Sequence, residues 1–147
     1  MHYNEDMEIT SEQVCQDLLG LIGRVKTSLA RLSEKYDLTV MQLHALYAMS
    51  NGDNTMGKVA NTLHCDASNV TGIVDRLVAG HYITRQEGAL DRRIKSLELT
   101  AKGRSAIDDI YSKLPTELGC AHLSPRDRSA LHDIVTTLIT ADVPASA

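Results

Sequence analysis

Two clusters of side chains in this 147-residue chain are suited to holding anions and reading hydrogen-bond patterns. The first is Asp91-Arg92-Arg93 with Lys95 close behind. Adjacent guanidiniums offer forked donors that match phosphate oxygens, and the preceding carboxylate can hold one of them through a charge-assisted bond. The second is Ser68, Asn69, Thr71, Gly72 and Arg76, which share the outer side of a segment whose Val70, Ile73, Val74 and Leu77 recur at helical spacing. Small side chains let a helix approach base edges closely, and hydroxyl and amide groups can donate and accept there. A solvated helix carries similar residues and a solvated turn similar arginines, so neither cluster decides by itself.

The thiols are the other reactive groups. Cys15, Cys65 and Cys120 are too few for a secreted disulfide framework, and no Cys-x-x-Cys occurs. His64-Cys65 is the one close pair of soft ligands, and Cys65 reads more simply as the apolar residue before an Asp66 helix cap, so no metal is expected. Cys15 falls in the first turns of a helix, where the dipole can lower a thiol pKa, and Cys120 in a glycine-containing link; each is otherwise an ordinary small residue. No phosphate-cradling glycine loop, activated nucleophile or paired acids point to an enzyme, and no cofactor is called for.

The elements that must position these groups are legible from caps and periodicity. Met56, Val59, Ala60 and Leu63 outline a support helix; Asp66 caps a second helix over 67–79, stopped at Gly80. Alternating and β-branched residues over 82–87 and 94–99 outline a hairpin around a polar tip. Thr39 and Gln42 form a capping box that opens a helix to Met49, and Thr100 caps a helix that Pro115 is expected to end. Helix, turn, helix and basic hairpin, in that order, are the parts of a winged helix-turn-helix.

Two apolar stripes flank this unit. After a staple and capping box at Ile9, Thr10, Gln13 and Val14, the first runs from Val14 through Leu18, Leu21, Ile22, Val25 and Leu29 to Leu32. The second follows Ser124-Pro125 and carries Leu131, Ile134, Val135, Leu138 and Ile139. They can close on each other within one chain or bury themselves across two, and two-fold symmetry favours the second arrangement.

Composition bounds the partners. The net charge of −4 conceals an asymmetry: residues 56–104 hold eight Lys and Arg against five acids, a balance of +3 that leaves −7 elsewhere. Attraction for a polyanion is thereby focused on the reading unit. With five Tyr and neither Phe nor Trp, the core must be aliphatic, and single-strand binding by base stacking is disfavoured. The length suits a single domain, and no signal peptide or membrane span is apparent, so a cytoplasmic protein is expected.

Leu38-Thr39 with Gln42, Ser68-Asn69-Val70-Thr71, Val74-Asp75-Arg76-Leu77, Gly80, Arg85, Asp91-Arg92-Arg93 and Leu99-Thr100-Ala101-Lys102-Gly103 together resemble the MarR family of bacterial transcriptional regulators. The resemblance covers about residues 10–140. It implies a mainly α fold with a small β-hairpin wing: a winged helix-turn-helix domain over 38–100 with dimerisation helices at 10–36 and 100–142. It further implies a homodimer on a palindromic double-stranded operator, with helix 67–79 in the major groove and the wing in the flanking minor groove. Ser68, Asn69, Thr71, Gly72, Arg76, Asp91, Arg92, Arg93 and Lys95 would then contact DNA. A repressor released by a small effector or by thiol oxidation is the implied function; a winged-helix adaptor that binds protein rather than DNA is the alternative. Members often hold anionic aromatic effectors near the dimerisation helices, where Arg31, His44 and Tyr47 are the polar candidates. Cys15 and Cys120 resemble the peroxide-sensing pair of one branch, although Leu19 and Leu29 stand here where that branch has tyrosines.

Overall fold

The computed structural model describes residues 8–87 and 95–141, with the backbone alone for Glu87 and Lys95. Helix α1 (Ser11–Glu34) starts at the expected capping box: the Gln13 amide donates to Thr10 Oγ1 at 3.2 Å and the Thr10 amide to Gln13 Oε1 at 2.8 Å. Helix α2 (Val40–Ser50) repeats the device with Thr39 and Gln42 at 3.2 and 2.8 Å. The staple does not close, since Ile9 is 72% exposed. Helices α3 (Met56–Leu63) and α4 (Ala67–Ala79) are capped by Thr55 and Asp66, and His64 takes a left-handed conformation in the turn between them.

Strands β1 (Ile83–Glu87) and β2 (Lys95–Leu99) pair antiparallel, from Ile83 opposite Leu99 to Glu87 opposite Lys95. The base of this hairpin is fastened to the support helix, because the Leu97 amide donates to Asn54 O at 2.8 Å and Thr55 bridges Ser96. Helix α5 (Ala101–Glu117), a short 3-10 turn (Cys120–His122) and helix α6 (Pro125–Thr140) complete the chain.

Two local expectations are corrected, and the stop of α4 at Gly80 is as expected. Strand β1 begins at Ile83, one residue later than expected, and Ile94, the expected start of the second strand, lies outside the described residues. Pro115 does not end α5: the helix passes through it to Glu117. A proline costs its own amide bond and crowds the carbonyl four residues back, and so near a terminus little helix remains to be disrupted. Gly80 ends α4 with ordinary right-handed φ, and the left-handed residue is His81. A Cβ at Gly80 would sit 3.0 Å from the Tyr82 ring, so a side chain there needs the ring to give by a few tenths of an ångström.

The core is aliphatic and centred on α2, whose Leu43, Ala45, Leu46, Ala48 and Met49 are buried. Val59 from α3, Val70, Val74 and Leu77 from α4, Ile83 and Leu97 from the hairpin, and Ala106 and Ile107 from α5 close around it. Burying each large aliphatic side chain contributes about 1.5–3 kcal/mol, so this cluster fixes the reading unit against α5. A second cluster of Leu29, Leu43 and Ile110 attaches α1.

The Leu99 to Gly103 motif has a structural reason. Thr100 Oγ1 caps the Gly103 amide at 3.1 Å and donates toward the carbonyls of His81 and Tyr82, while the Thr100 amide also donates to Tyr82 O. This pulls the first turn of α5 against β1 so closely that a Cβ on Gly103 would lie 2.2 Å from the Tyr82 carbonyl oxygen. Only glycine admits that approach.

The outer helices remain open. None of α6 is buried, and Leu19, Leu21 and Ile22 of α1 and Ile134, Leu138 and Ile139 of α6 face solvent. Between α1, α2 and α6 runs an apolar groove of about 850 Å³, bounded by Leu18, Ile22, Val25, Met41, Val135 and Leu138 among others.

Candidate nucleic-acid interface

Helix α4 presents two chemically distinct sides. Val70, Val74 and Leu77 are buried, whereas Ser68, Asn69, Thr71, Gly72 and Arg76 are all exposed. Asp66 organises the first turn: its Oδ1 accepts the Asn69 amide at 2.9 Å and the Ser68 hydroxyl at 2.8 Å, and these bonds hold its carboxyl below the usual carboxylate range. Thr71 donates its hydroxyl back to Ala67 O at 2.8 Å, leaving its oxygen as an acceptor to solvent. Among the described residues nothing lies within 4 Å of where a Gly72 Cβ would stand, so no internal contact there demands glycine. Arg76 makes no ion pair among the described residues.

The hairpin is held to this helix by charge. Arg85 of β1 pairs with Asp75 of α4 through Nη2 and Oδ1, and across the strands Gln86 Nε2 donates to Glu98 Oε2 at 2.9 Å. Asp91, Arg92 and Arg93 lie outside the described residues, and Lys95 is placed by its backbone at the far end of β2. The recognition-face candidates thus come together on one helix, with the root of the hairpin fixed beside them.

Two residues read as a helix cap and as part of the family resemblance, with no contact assigned to them, border this surface. Thr39 and Gln42, in the first turn of α2, border a cleft of about 260 Å³ with Ser68, Asn69, Gly72 and Arg76. Arg76 also borders an adjoining cleft of about 500 Å³ with Tyr36, Asp37, Gly80 and Lys102. Lys102 is already engaged: its Nζ donates to Gly80 O at 2.7 Å and lies 4.2 Å from the centre of the Tyr82 ring. The signal in the sequence was Thr39 and Gln42 themselves, but a capping box explains them locally and conceals a second use.

The effector candidates are dispersed. Arg31 pairs with Glu117 at the end of α5, His44 borders the apolar groove, and Tyr47 stacks on Tyr111 with ring centres 4.4 Å apart. Burial and the facing Tyr47 push the Tyr111 phenol up to about 12. Cys15 is exposed and Cys120 half-buried, both as free thiols. A polar hub joins the end of α1 to α5: Asp109 Oδ2 accepts from Tyr36 Oη at 2.6 Å, Lys113 Nζ at 2.7 Å and Lys35 Nζ at 3.4 Å, which holds its carboxyl far below the usual range. The Tyr82 hydroxyl in turn donates to Tyr36 O at 2.6 Å, so the same junction reaches the start of β1. Among the described residues no cluster of metal-ligating side chains forms, and no helix is long and apolar enough to cross a membrane.

Comparison with known proteins places this arrangement. A sequence model of the MarR family matches residues 36–94, the span from just after α1 to just before β2. Over that span the chain resembles the MarR family. The chain is 27% identical over 150 residues to YfiV of Bacillus subtilis, an uncharacterized HTH-type transcriptional regulator, across 94% of both chains. Its fold matches that of the MarR family transcription regulator SP03579 with a TM-score of 0.76 and 19% identity, over 87% of each chain. It also matches a mutant of Staphylococcus aureus MepR bound to an oligodeoxyribonucleotide, with a TM-score of 0.61 and 21% identity over 90% of this chain and 98% of MepR. The MarR winged-helix fold, mainly α with one antiparallel hairpin, is therefore the fold of this protein.

Proposed function

We propose that this protein is a homodimeric transcriptional regulator that binds a palindromic double-stranded operator, acts as a repressor, and works in the cytoplasm. The observation that carries the reading is α4: three apolar residues anchor it while Ser68, Asn69, Thr71, Gly72 and Arg76 stand exposed together, beside a hairpin tied on by Asp75 and Arg85. In this reading α4 enters the major groove, and Asp91, Arg92, Arg93 and Lys95 reach the flanking minor groove, whose narrow stretches attract arginine. The oligonucleotide bound to the similarly folded MepR supports it. Repression needs only occupancy of the operator, and so no further activity has to be assigned to the chain.

Residues 38–100 form the reading unit and helices 10–36 and 100–142 the dimerisation elements. The exposed apolar residues of α1 and α6 support this, since such a surface on a monomer marks an interaction site. Half-sites must then lie about 34 Å apart, one turn of the duplex. A small effector in the groove that His44 borders, or oxidation at Cys15 and Cys120, would act by changing the angle between reading units, and Arg31 and Tyr47 would take part only by leaving their present partners. The Asp109, Tyr36 and Tyr82 junction supports that route, because it links α1, α5 and β1 through short hydrogen bonds.

Titration of the purified protein onto the duplex upstream of its own gene, at two salt concentrations, tests the reading. Tight binding that weakens steeply with salt supports it, since each neutralised phosphate adds about −0.9 to the slope of log affinity against log salt. Absence of binding to that duplex and to any duplex selected from a random-sequence pool overturns it in favour of a protein-binding adaptor.

A further inference from the structure

The cleft between α2 and α4 holds an unsatisfied donor. Gln42 is 7% exposed, so its side chain is more than nine-tenths buried. Its Oε1 must be the atom that accepts the Thr39 amide at 2.8 Å, because an amide nitrogen cannot accept there. Nε2 is thereby fixed on the other side, and it donates to no group among the described residues. It is not sealed in, since among the described residues no fully buried side-chain nitrogen or oxygen lacks a partner; Gln42 borders both this cleft and the adjoining one that Asp37 and Lys102 line. A mostly buried amide whose nitrogen reaches solvent leaves a fixed donor that an acceptor entering the cleft can meet in place of water.

The charge of the cleft says which acceptor. Among the described residues Arg76 is the one charged residue bordering it, and Asp66, the nearest acid on α4, is occupied by the Ser68 hydroxyl and the Asn69 amide. Asp75 is paired with Arg85, and Asp37 borders the neighbouring cleft that Arg76 also reaches. A volume of about 260 Å³ lies below the range of drug-sized ligand sites, about 300–1,000 Å³, and suits one small anion with its waters.

We propose that this cleft seats a single backbone phosphate of the bound duplex, with Gln42 Nε2 and Arg76 donating to its non-bridging oxygens. The proposal rests on the reading of α4 as the recognition helix. It makes the first turn of α2 a positioning element: the phosphate, gripped between α2 and α4, sets how deeply and in which register α4 enters the groove.

Gln42→Glu separates this role from folding. The glutamate keeps an acceptor for the Thr39 amide, as capping boxes commonly use Glu, but replaces the donor with a carboxylate oxygen facing the phosphate. On a duplex selected from a random-sequence pool, the variant should keep its unfolding midpoint and bind about 10–100-fold more weakly, the loss expected for a hydrogen bond to a charged group. Methylphosphonates placed one at a time along the half-site identify the phosphate. At one position the wild type should lose about tenfold in affinity while Gln42→Glu loses nothing further. Arg76→Gln should show the same insensitivity at the same position, which keeps the test decisive if Gln42→Glu fails to fold. Wild-type affinity in both variants, or methylphosphonate losses independent of both residues at every position, overturns the proposal. Binding of inorganic phosphate to the wild-type cleft with duplex affinity unchanged in Gln42→Glu also overturns it, marking a site for a free anion. If the wild type binds no selected duplex, the regulator reading itself falls, an outcome distinct from the rest.

Discussion

Two helical glycines, Gly72 and Gly103, should respond to the same substitution with opposite sign. Both lie in helices with no positive φ, so alanine brings each the same backbone benefit, about 1 kcal/mol by helix propensity. At Gly72 nothing among the described residues lies within 4 Å of the added methyl, and Gly72→Ala should stabilise the fold by about 0.5–1 kcal/mol. For a chain of this size that is a rise in Tm of about 1–4 °C. At Gly103 the methyl carbon would stand 2.2 Å from the Tyr82 carbonyl oxygen, so α5 or β1 must move. Movement strains packing by about 1–3 kcal/mol. It also breaks the Thr100 amide and hydroxyl bonds to Tyr82 O at 3.1 and 3.0 Å, each worth about 0.5–1.5 kcal/mol. Less the helix benefit, Gly103→Ala should lose about 1–5 kcal/mol. Urea unfolding of both variants, read as midpoint shifts at unchanged m, measures the difference. Shifts of the same sign, or a Gly103→Ala as stable as the wild type, would refute the reasoning. Gly72→Ala also carries a functional expectation: a more stable protein that binds its operator less tightly, because the methyl intrudes where α4 meets the groove.

Further outcomes follow from the charges and the open apolar surface. Arg93→Ala should weaken duplex binding at every sequence and flatten the salt dependence by about one phosphate while leaving the oligomeric state unchanged, as checked by affinity at several salt concentrations. Asp109 has a depressed carboxyl pKa, so its contribution is complete above the ordinary carboxylate range and is lost as pH falls toward its folded value; Asp109→Asn should flatten the acid limb of stability between about pH 5 and 2. Tyr111 has its pKa raised to about 12, so the stability it contributes is complete below about 10 and lost as pH rises toward 12; spectrophotometric titration should show a late-ionising tyrosine that Tyr111→Leu removes. Leu138→Glu, on the open face of α6, should convert a dimer to monomer in sedimentation, with the reading unit still folded.

Caps, periodicity and turn chemistry made most of the elements legible without coordinates. Thr10 with Gln13, Thr39 with Gln42, Asp66, Thr100 and Ser124 each start a helix by bonding an amide three residues on, a rule confined to one turn of chain and therefore visible in the order of residues. The polar face of α4 was legible for the same reason, since its period needs no partner. Pro115 misled because the cost of a proline depends on how much helix follows it, which residue order alone does not settle.

Tertiary structure decided what depends on elements distant in sequence. That Gly103 must be glycine follows from the Tyr82 carbonyl pressed against it, and the engagement of Arg31 follows from Glu117 on another helix. Gln42 is the clearest case. Its local use as a capping residue is written in the spacing to Thr39, whereas its free amide nitrogen becomes meaningful only when packing sets α2 beside α4 and buries the rest of the side chain. Backbone hydrogen bonding within a turn is local and leaves its pattern in neighbouring residues; cavities, close approaches and charge pairs arise from long-range packing, which no short stretch of the chain encodes.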